Sequence, residues 1–136
     1  MKANLKNILG LAALGLTLLS TTVSTWAGLR LTEEVTVING NGIRRAYGSM
    51  VGARYSKDSK QNIGCTAYTF QFYSWTTCFA TDSAGNSLVC GSGDPRWAEV
   101  VQGMTDSSDI FFDMAPYDNS GNCVQIFMRN GSYFLK

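Results

Sequence analysis

The chain contains no histidine and few charged or proline residues. Of its 136 residues none is histidine, 2 are proline and 15% are charged. Without histidine, the Ser-His-Asp and Cys-His arrangements of nucleophilic catalysis are excluded, and a structural zinc site has little support. The formal net charge is only +1, so the chain lacks the basic surface on which nucleic-acid binding depends. We therefore expect neither a nucleic-acid partner nor a cofactor.

The N-terminal segment has the layout of a secretory signal peptide. Lys2 and Lys6 give it a positive start, and residues 8–19 are apolar apart from glycine and one threonine. This apolar run is shorter than the roughly 20 residues that cross a bilayer as a helix. Small residues then precede a plausible cleavage point. We predict removal of residues 1–27, which leaves residues 28–136 as one secreted or periplasmic β domain with no membrane span.

Four cysteines lie in the predicted mature domain. An even number in an exported chain predicts two disulfides, and four cysteines allow three connectivities. A turn centred on Ala84 places Cys78 directly opposite Cys90 on the next strand, so we expect these two to be bonded. By elimination, Cys65 would then bond Cys123. No Cys-x-x-Cys spacing occurs, which leaves thioredoxin-like redox chemistry without support.

Short runs of alternating or β-branched residues, separated by Gly, Asn, Asp and Ser, dominate the mature sequence and predict antiparallel strands. The segment Asn39–Gly42 is typical of a hairpin turn. Asp94 and Pro95 predict the start of one short helix near residues 95–104. We predict an all-β fold, either an antiparallel sandwich or a small barrel. The seven or so expected strands lie near residues 29–38, 43–55, 63–73, 75–81, 87–91, 109–114 and 123–129, with a further short strand at 133–135.

Aromatic residues make up 12% of the chain and give the best indication of function. Tyr68, Phe70 and Phe72 alternate on one face of a predicted strand, and we expect them to fill the core. Other aromatics with a polar group remain as candidates for a ligand-binding surface, because exposed aromatics on β scaffolds stack on sugars or anchor protein partners. These candidates are Tyr73, Trp75, Trp97 and Tyr117. The alternative is that they pack under the helix or inside a second sheet.

Carboxylates supply the only catalytic candidate. Asp113 together with Glu99 or Asp109 has the residue types that glycoside hydrolysis needs. Their spacing in the sequence specifies no site, however, and such acids are commonly exposed. We therefore expect a binding protein and not an enzyme, with a carboxylate-dependent hydrolase as the weaker alternative.

One loop presents oxygen atoms at alternate positions, as a calcium-binding loop does. Its residues are Asp118, Ser120 and Asn122. The glutamate that completes a calcium loop is missing, and the same residue types are ordinary turn formers. We expect a turn here and no metal site, with weak calcium binding as the alternative.

Several short stretches of the chain form a combined pattern: Gly52-Ala53-Arg54, Asp58-Ser59, Ile63-Gly64-Cys65, the hairpin from Cys78 to Cys90, Asp94-Pro95 and Gly121-Asn122-Cys123. Together they resemble small secreted bacterial proteins of uncharacterised function. The resemblance implies export and a cysteine-bonded β domain, but it implies no activity and identifies no site.

These features together predict an exported, disulfide-stabilised binding module. Its expected ligand is a carbohydrate or a protein at the cell envelope or outside the cell. The competing hypothesis is a structural or self-associating extracellular protein. It draws on exposed strand edges and on uneven charge, because cations outnumber acids in residues 28–61 and the reverse holds in residues 62–136.

Overall fold

The structure, a computed structural model, describes residues 32–116 and 120–131. Within these ranges seven strands form two antiparallel sheets, of order β1-β2-β6-β7 and β3-β4-β5, and two short helices accompany them. The predicted antiparallel all-β fold is thus confirmed. The strands are β1 Thr36–Gly40, β2 Ile43–Ser49, β3 Asn62–Thr69, β4 Ser74–Thr81, β5 Ser87–Ser92, β6 Ser108–Met114 and β7 Cys123–Asn130, and the helices are α1 Met50–Arg54 and α2 Pro95–Gln102.

The hairpin between β1 and β2 follows the sequence prediction. Gly40 pairs with Ile43, so the loop consists of Asn41 and Gly42 alone. Both loop residues have positive φ, of 53° and 76°, as the tight turn that matches strand twist requires. Asn and Gly tolerate this backbone conformation better than other residues, which is why the sequence predicts the turn correctly.

The core lies between the inner faces of the two sheets, which gives a sandwich-like fold. Ala46, Ile110 and Phe112 are fully buried on the four-stranded sheet. Cysteine, isoleucine, alanine and leucine side chains of the three-stranded sheet belong to the same apolar cluster. On β4 and β5 the buried positions alternate with less buried ones, as strands with one covered face require.

The second strand is shorter than predicted, because the chain turns into helix α1 after Ser49. The Ser49 hydroxyl caps the helix by accepting a hydrogen bond from the N–H of Gly52 at 2.8 Å. It also donates to the carbonyl oxygen of Glu33 at 3.1 Å. The predicted strand over residues 43–55 and the prediction of a single helix are therefore wrong. A helix cap at Ser49 and the close approach of the Glu33 backbone to Gly52 account for this segment.

Helix α2 confirms the predicted one. The Asp94 side chain accepts from the N–H of Arg96 at 3.0 Å, and Pro95 occupies the first turn. Ala98 and Val101 are buried, and the helix packs on β3, β4 and β7. It covers one side of the core.

All four cysteines are in disulfides, but the predicted connectivity is wrong. The bonds join Cys65 to Cys78 and Cys90 to Cys123. The predicted register is nevertheless correct, since Cys78 lies opposite both Cys65 and Cys90. A strand residue points its N–H and C=O toward one neighbouring strand and approaches the other more closely. The Cα atoms of Cys65 and Cys78 are 4.0 Å apart, which marks β3 as the closer neighbour.

The second disulfide connects the two sheets. Cys90 lies on β5 and Cys123 begins β7. Beside the bond, the N–H of Gly91 donates to the carbonyl oxygen of Gly121 at 2.9 Å. Two buried disulfides indicate that the protein folds in an oxidising environment outside the cytoplasm.

Some predictions lie outside the described residues. These are the leader 1–27, residues 29–31 of the first predicted strand, Tyr117, Asp118 and the strand at 133–135. Residues 32–35 are described and are not in a strand, so the first strand begins later than predicted, at Thr36. Of the helices in the described ranges, none has the length and hydropathy needed to cross a membrane.

Candidate functional site

Six aromatic side chains are exposed on the hairpin formed by β3 and β4, and we call them the aromatic surface. They include Phe72, which is 88% exposed, and Trp75, which is 43% exposed. An exposed set of large apolar side chains is a common mark of a binding site. The members are Tyr68, Phe70, Phe72, Tyr73, Trp75 and Phe79.

Strand alternation explains why the aromatic surface faces outward. Cys65 points into the core, so Tyr68, at an odd separation along the strand, points to the opposite face. The strand then ends at Thr69, and Phe70 and Phe72 belong to the loop beyond it. The expectation that Tyr68, Phe70 and Phe72 fill the core is therefore wrong. The inner face of β3 is filled by Ile63, Cys65 and Ala67.

Two of the rings lie against bare backbone on neighbouring strands. A Cβ at Gly91 would be 2.7 Å from Cζ2 of Trp75, and one at Gly64 would be 2.9 Å from Cζ of Phe79. Only glycine leaves room for rings at this distance. As a result, Trp75 extends over β5 and Phe79 over β3 on the outer face.

The tip of the hairpin adds a stacked pair. The rings of Phe70 and Tyr73 have centroids 4.5 Å apart and an interplanar angle of 21°. The N–H of Phe70 donates to the carbonyl oxygen of Tyr73 at 2.7 Å, which closes the loop. Between them Phe72 projects into solvent. The tip therefore continues the apolar outer face beyond the end of the sheet.

Hydroxyl groups separate the aromatic rings on this face. Thr66 and Thr77 are paired across β3 and β4, between the level of Trp75 and that of Phe79. On the next strand pair the hydroxyls of Thr81 and Ser87 lie 2.9 Å apart. The outer face thus combines planar apolar rings with groups that both donate and accept hydrogen bonds.

The structure brings together two of the four predicted ligand-binding aromatics. Tyr73 and Trp75 belong to the aromatic surface. Trp97 lies on α2 and packs against the core, so it is separate from them, while Tyr117 lies outside the described residues. Sequence reasoning missed Phe79 and assigned Tyr68 to the wrong face. Two features of the sequence carry this information. Tyr68 is an odd number of residues from Cys65, which places it on the opposite face of the strand from a buried cysteine. The glycines at 64 and 91 leave room for the rings of Phe79 and Trp75.

The three carboxylates considered as catalytic candidates are either hydrogen-bonded to arginine side chains or exposed to solvent. Both oxygens of Asp113 accept from Arg45, at 2.7 and 2.8 Å. This hydrogen bonding raises the pKa of the Arg45 guanidinium, which also lies 4.8 Å from the centre of the Phe111 ring. Asp109 accepts from Arg129, and Glu99 is exposed on α2. The arginine contacts therefore occupy oxygens of Asp113 and Asp109, and these two carboxylates do not face each other across an open site.

A cleft of about 360 Å³ lies beside α1 and is lined by the acidic residues Glu34 and Asp58, among others. The Asp58 carboxylate accepts from the Gln61 side chain at 2.6 Å and from two backbone N–H groups. The Gln61 hydrogen bonds lower the pKa of Asp58. This environment is the reverse of one that would prepare an acid for proton donation.

No described group of three or more His, Cys, Asp or Glu residues has an arrangement that could hold a metal ion. In the candidate calcium loop, the Ser120 hydroxyl accepts from the backbone N–H of Asn122 at 3.3 Å. This contact is typical of a turn residue.

Comparison with known proteins adds no family to this description. No family model matches the chain, and no curated protein and no solved structure is significantly similar to it.

Proposed function

We propose that this protein is an exported carbohydrate-binding module whose ligand lies on the aromatic surface. The observation that supports the proposal best is the exposure of Trp75 and Phe79 on one sheet face, where each ring lies over a glycine of a neighbouring strand. A planar ring presents the apolar surface on which a sugar ring stacks. The neighbouring threonine hydroxyls supply hydrogen bonds to the sugar.

The support for export comes from the cysteines and the leader. Both disulfides are buried, as expected of a stable cross-link formed outside the cytoplasm. The N-terminal sequence fits a cleaved signal peptide, which would deliver the domain to the periplasm or the medium. Envelope or extracellular polysaccharides are the carbohydrates that such a protein would meet.

Glycan-array binding of the labelled protein, followed by titration calorimetry with the bound glycans, tests the proposal. Trp75→Ala should weaken binding at least about tenfold, which corresponds to about 1.4 kcal/mol. Phe127→Ala is the matched control, because Phe127 is an exposed aromatic on the outer face of the other sheet. It should bind as the wild type does.

Two results would contradict the proposal. One is an absence of binding to every glycan on the array by a protein whose circular dichroism and melting curve show it to be folded. The other is equal loss of binding in Trp75→Ala and Phe127→Ala, which would separate binding from the aromatic surface.

Self-association is the second candidate function, and the exposure of Phe72 favours it. A ring that is 88% exposed at the tip of an uncharged hairpin would gain from burial against another molecule. Sedimentation velocity of the wild type and Phe72→Ser distinguishes the two functions. A dimer that dissociates in Phe72→Ser would favour self-association, whereas a monomer at all concentrations would contradict it.

A further inference from the structure

The aromatic surface lies on strands without charge. β3, β4, β5 and the loop 70–73 contain no Asp, Glu, Lys or Arg. The carboxylates that follow β4 and β5 in the sequence belong to Asp82 and Asp94. Asp82 accepts from the side-chain amide and the backbone N–H of Asn86, both at 2.9 Å. Asp94 caps α2 and accepts from Arg96. The carboxylates of Asp82 and Asp94, which follow the uncharged strands in the sequence, therefore already have hydrogen-bond partners within the protein.

The absence of charge determines which ligands this surface suits. An anionic sugar loses hydration when it is buried, and recovering that loss requires an arginine, a lysine or several N–H donors. None of the side chains on the three strands is cationic. The hydroxyls of Thr66 and Thr77, in contrast, match the hydroxyls of an uncharged sugar, since each group both donates and accepts.

The spacing of the rings determines the size of the ligand. Trp75 and Phe79 are four residues apart on β4, so their Cα atoms are separated by about 13 Å. Rings in stacking contact lie only about 4.5–7 Å apart. A single sugar therefore cannot stack on both rings, and Thr77 lies between them on the same face.

We propose that the ligand is an uncharged glycan chain that crosses β4 obliquely, from Trp75 over β5 to Phe79 over β3, and stacks on both rings. This inference rests on the proposed function and specifies its ligand. The chain contacts Thr77 and Thr66 between the two stacking positions, and an acidic or sulfated chain of the same backbone is excluded.

Affinity electrophoresis in gels that contain matched polymers tests this inference. The pairs are hydroxyethylcellulose with carboxymethylcellulose, glycol chitin with carboxymethyl chitin, and dextran with dextran sulfate. We expect the neutral member of at least one pair to retard the wild type and the anionic member to have no effect. The retardation should be the same at low and high salt, because no ion pair contributes to it. Trp75→Ala and Phe79→Ala should each reduce it, and Phe127→Ala should not.

The possible outcomes separate this inference from the proposed function. In one outcome, the anionic polymer retards the protein as much as the neutral one or more, with a retardation that decreases as salt is added. That result overturns the inference and leaves carbohydrate binding in place. Retardation by no polymer, together with no glycan-array binding, overturns both. Two further results also overturn the inference. Binding to phosphatidylcholine vesicles that is lost in Phe72→Ser identifies a lipid surface as the occupant. A dimer that is lost in Trp75→Ala identifies a second copy of the chain as the occupant.

Discussion

The indole ring of Trp75 lies across the backbone of Gly91 on the neighbouring strand, where a Cβ at Gly91 would be 2.7 Å from the ring atom Cζ2. Any side chain at position 91 therefore displaces the ring. Because Trp75 is partly exposed, the ring is free to rotate into solvent without disturbing the core. The glycine thus determines the orientation of the ring more than it determines the stability of the fold.

Gly91→Ala should therefore weaken glycan binding with little change in stability. We expect a loss in affinity approaching that of Trp75→Ala, because the new Cβ displaces the indole from its position over Gly91. The cost in unfolding free energy should stay below about 1 kcal/mol, since an exposed side chain relieves the overlap. Calorimetric titration with the bound glycan and denaturant unfolding measure the two quantities.

Gly93→Ala is the control for that substitution. A Cβ at Gly93 would lie 3.6 Å from the same indole ring, which is an ordinary contact. This variant should retain the affinity and the tryptophan emission maximum of the wild type. An equal loss of affinity in both variants would contradict the role assigned to Gly91.

The two disulfides should contribute unequally to stability. The bond from Cys90 to Cys123 spans 33 residues, and the bond from Cys65 to Cys78 spans 13. Loop-closure entropy gives about 4 kcal/mol for the longer loop and about 3 kcal/mol for the shorter one. Replacing each pair by alanines should therefore destabilise the protein more when Cys90 and Cys123 are removed. Denaturant unfolding provides the comparison, and the reverse order would contradict this account.

The register of the cysteines has a further consequence. In the double variant Cys65→Ala with Cys123→Ala, the remaining Cys78 and Cys90 lie opposite each other on paired strands. Cross-strand partners are close enough to be bonded, so we expect this variant to form a new disulfide between them. Peptide mapping without reduction identifies the bond, and two free thiols after air oxidation would contradict the expectation.

The sequence predicted the register of the cysteines but not their bonding. Hairpin length alone placed Cys78 opposite Cys90, and the structure has the same pairing. The choice of partner depends on which neighbouring strand receives the backbone hydrogen bonds of Cys78, and no residue pattern encodes that direction. The inter-sheet bond to Cys123 depends on how the two sheets pack, which is a tertiary property.

The candidate site shows the same division between local and tertiary information. Aromatic content indicated a binding surface, and Tyr73 and Trp75 were selected correctly as exposed. Assigning Tyr68 to the core followed from grouping it with Phe70 and Phe72 on one aromatic face of the strand, without reference to the inward-facing Cys65. Whether an aromatic face is covered depends on the layer that packs against it, and a single strand cannot reveal that layer.

Gly52→Ala should destabilise the protein, because the N-terminal segment crosses the helix at this residue. A Cβ at Gly52 would be 2.2 Å from the carbonyl oxygen of Glu33 and 2.7 Å from the hydroxyl of Ser49. The first of these is a backbone atom, so relief requires movement of the main chain. We expect a loss of about 1–3 kcal/mol in denaturant unfolding. Gly40→Ala is the control, since nothing lies within 4 Å of a Cβ there, and it should be close to neutral.

Asp94 should make the melting temperature depend on pH in the acid range. Hydrogen bonding to the Arg96 side chain lowers the pKa of Asp94 from 3.8 to about 2. A carboxyl whose folded pKa is depressed stabilises the protein above its unfolded pKa, and this contribution disappears as the pH decreases through the folded value. The variant Asp94→Asn keeps a side-chain oxygen that caps α2 but carries no charge. The wild type should therefore melt above Asp94→Asn at pH 6, and the two curves should converge only below the folded pKa, at about pH 1.

The variant Arg96→Gln separates the ion pair from the helix cap in that experiment. Without the guanidinium, the largest cause of the lowered pKa is removed, while Asp94 still accepts from the backbone at the start of α2. The acid transition attributed to Asp94 should then move up toward the ordinary aspartate range near pH 4. If the melting temperatures of wild type and Asp94→Asn still differ at about pH 1, the difference arises from packing or from the cap geometry, and the charge of Asp94 is not its source.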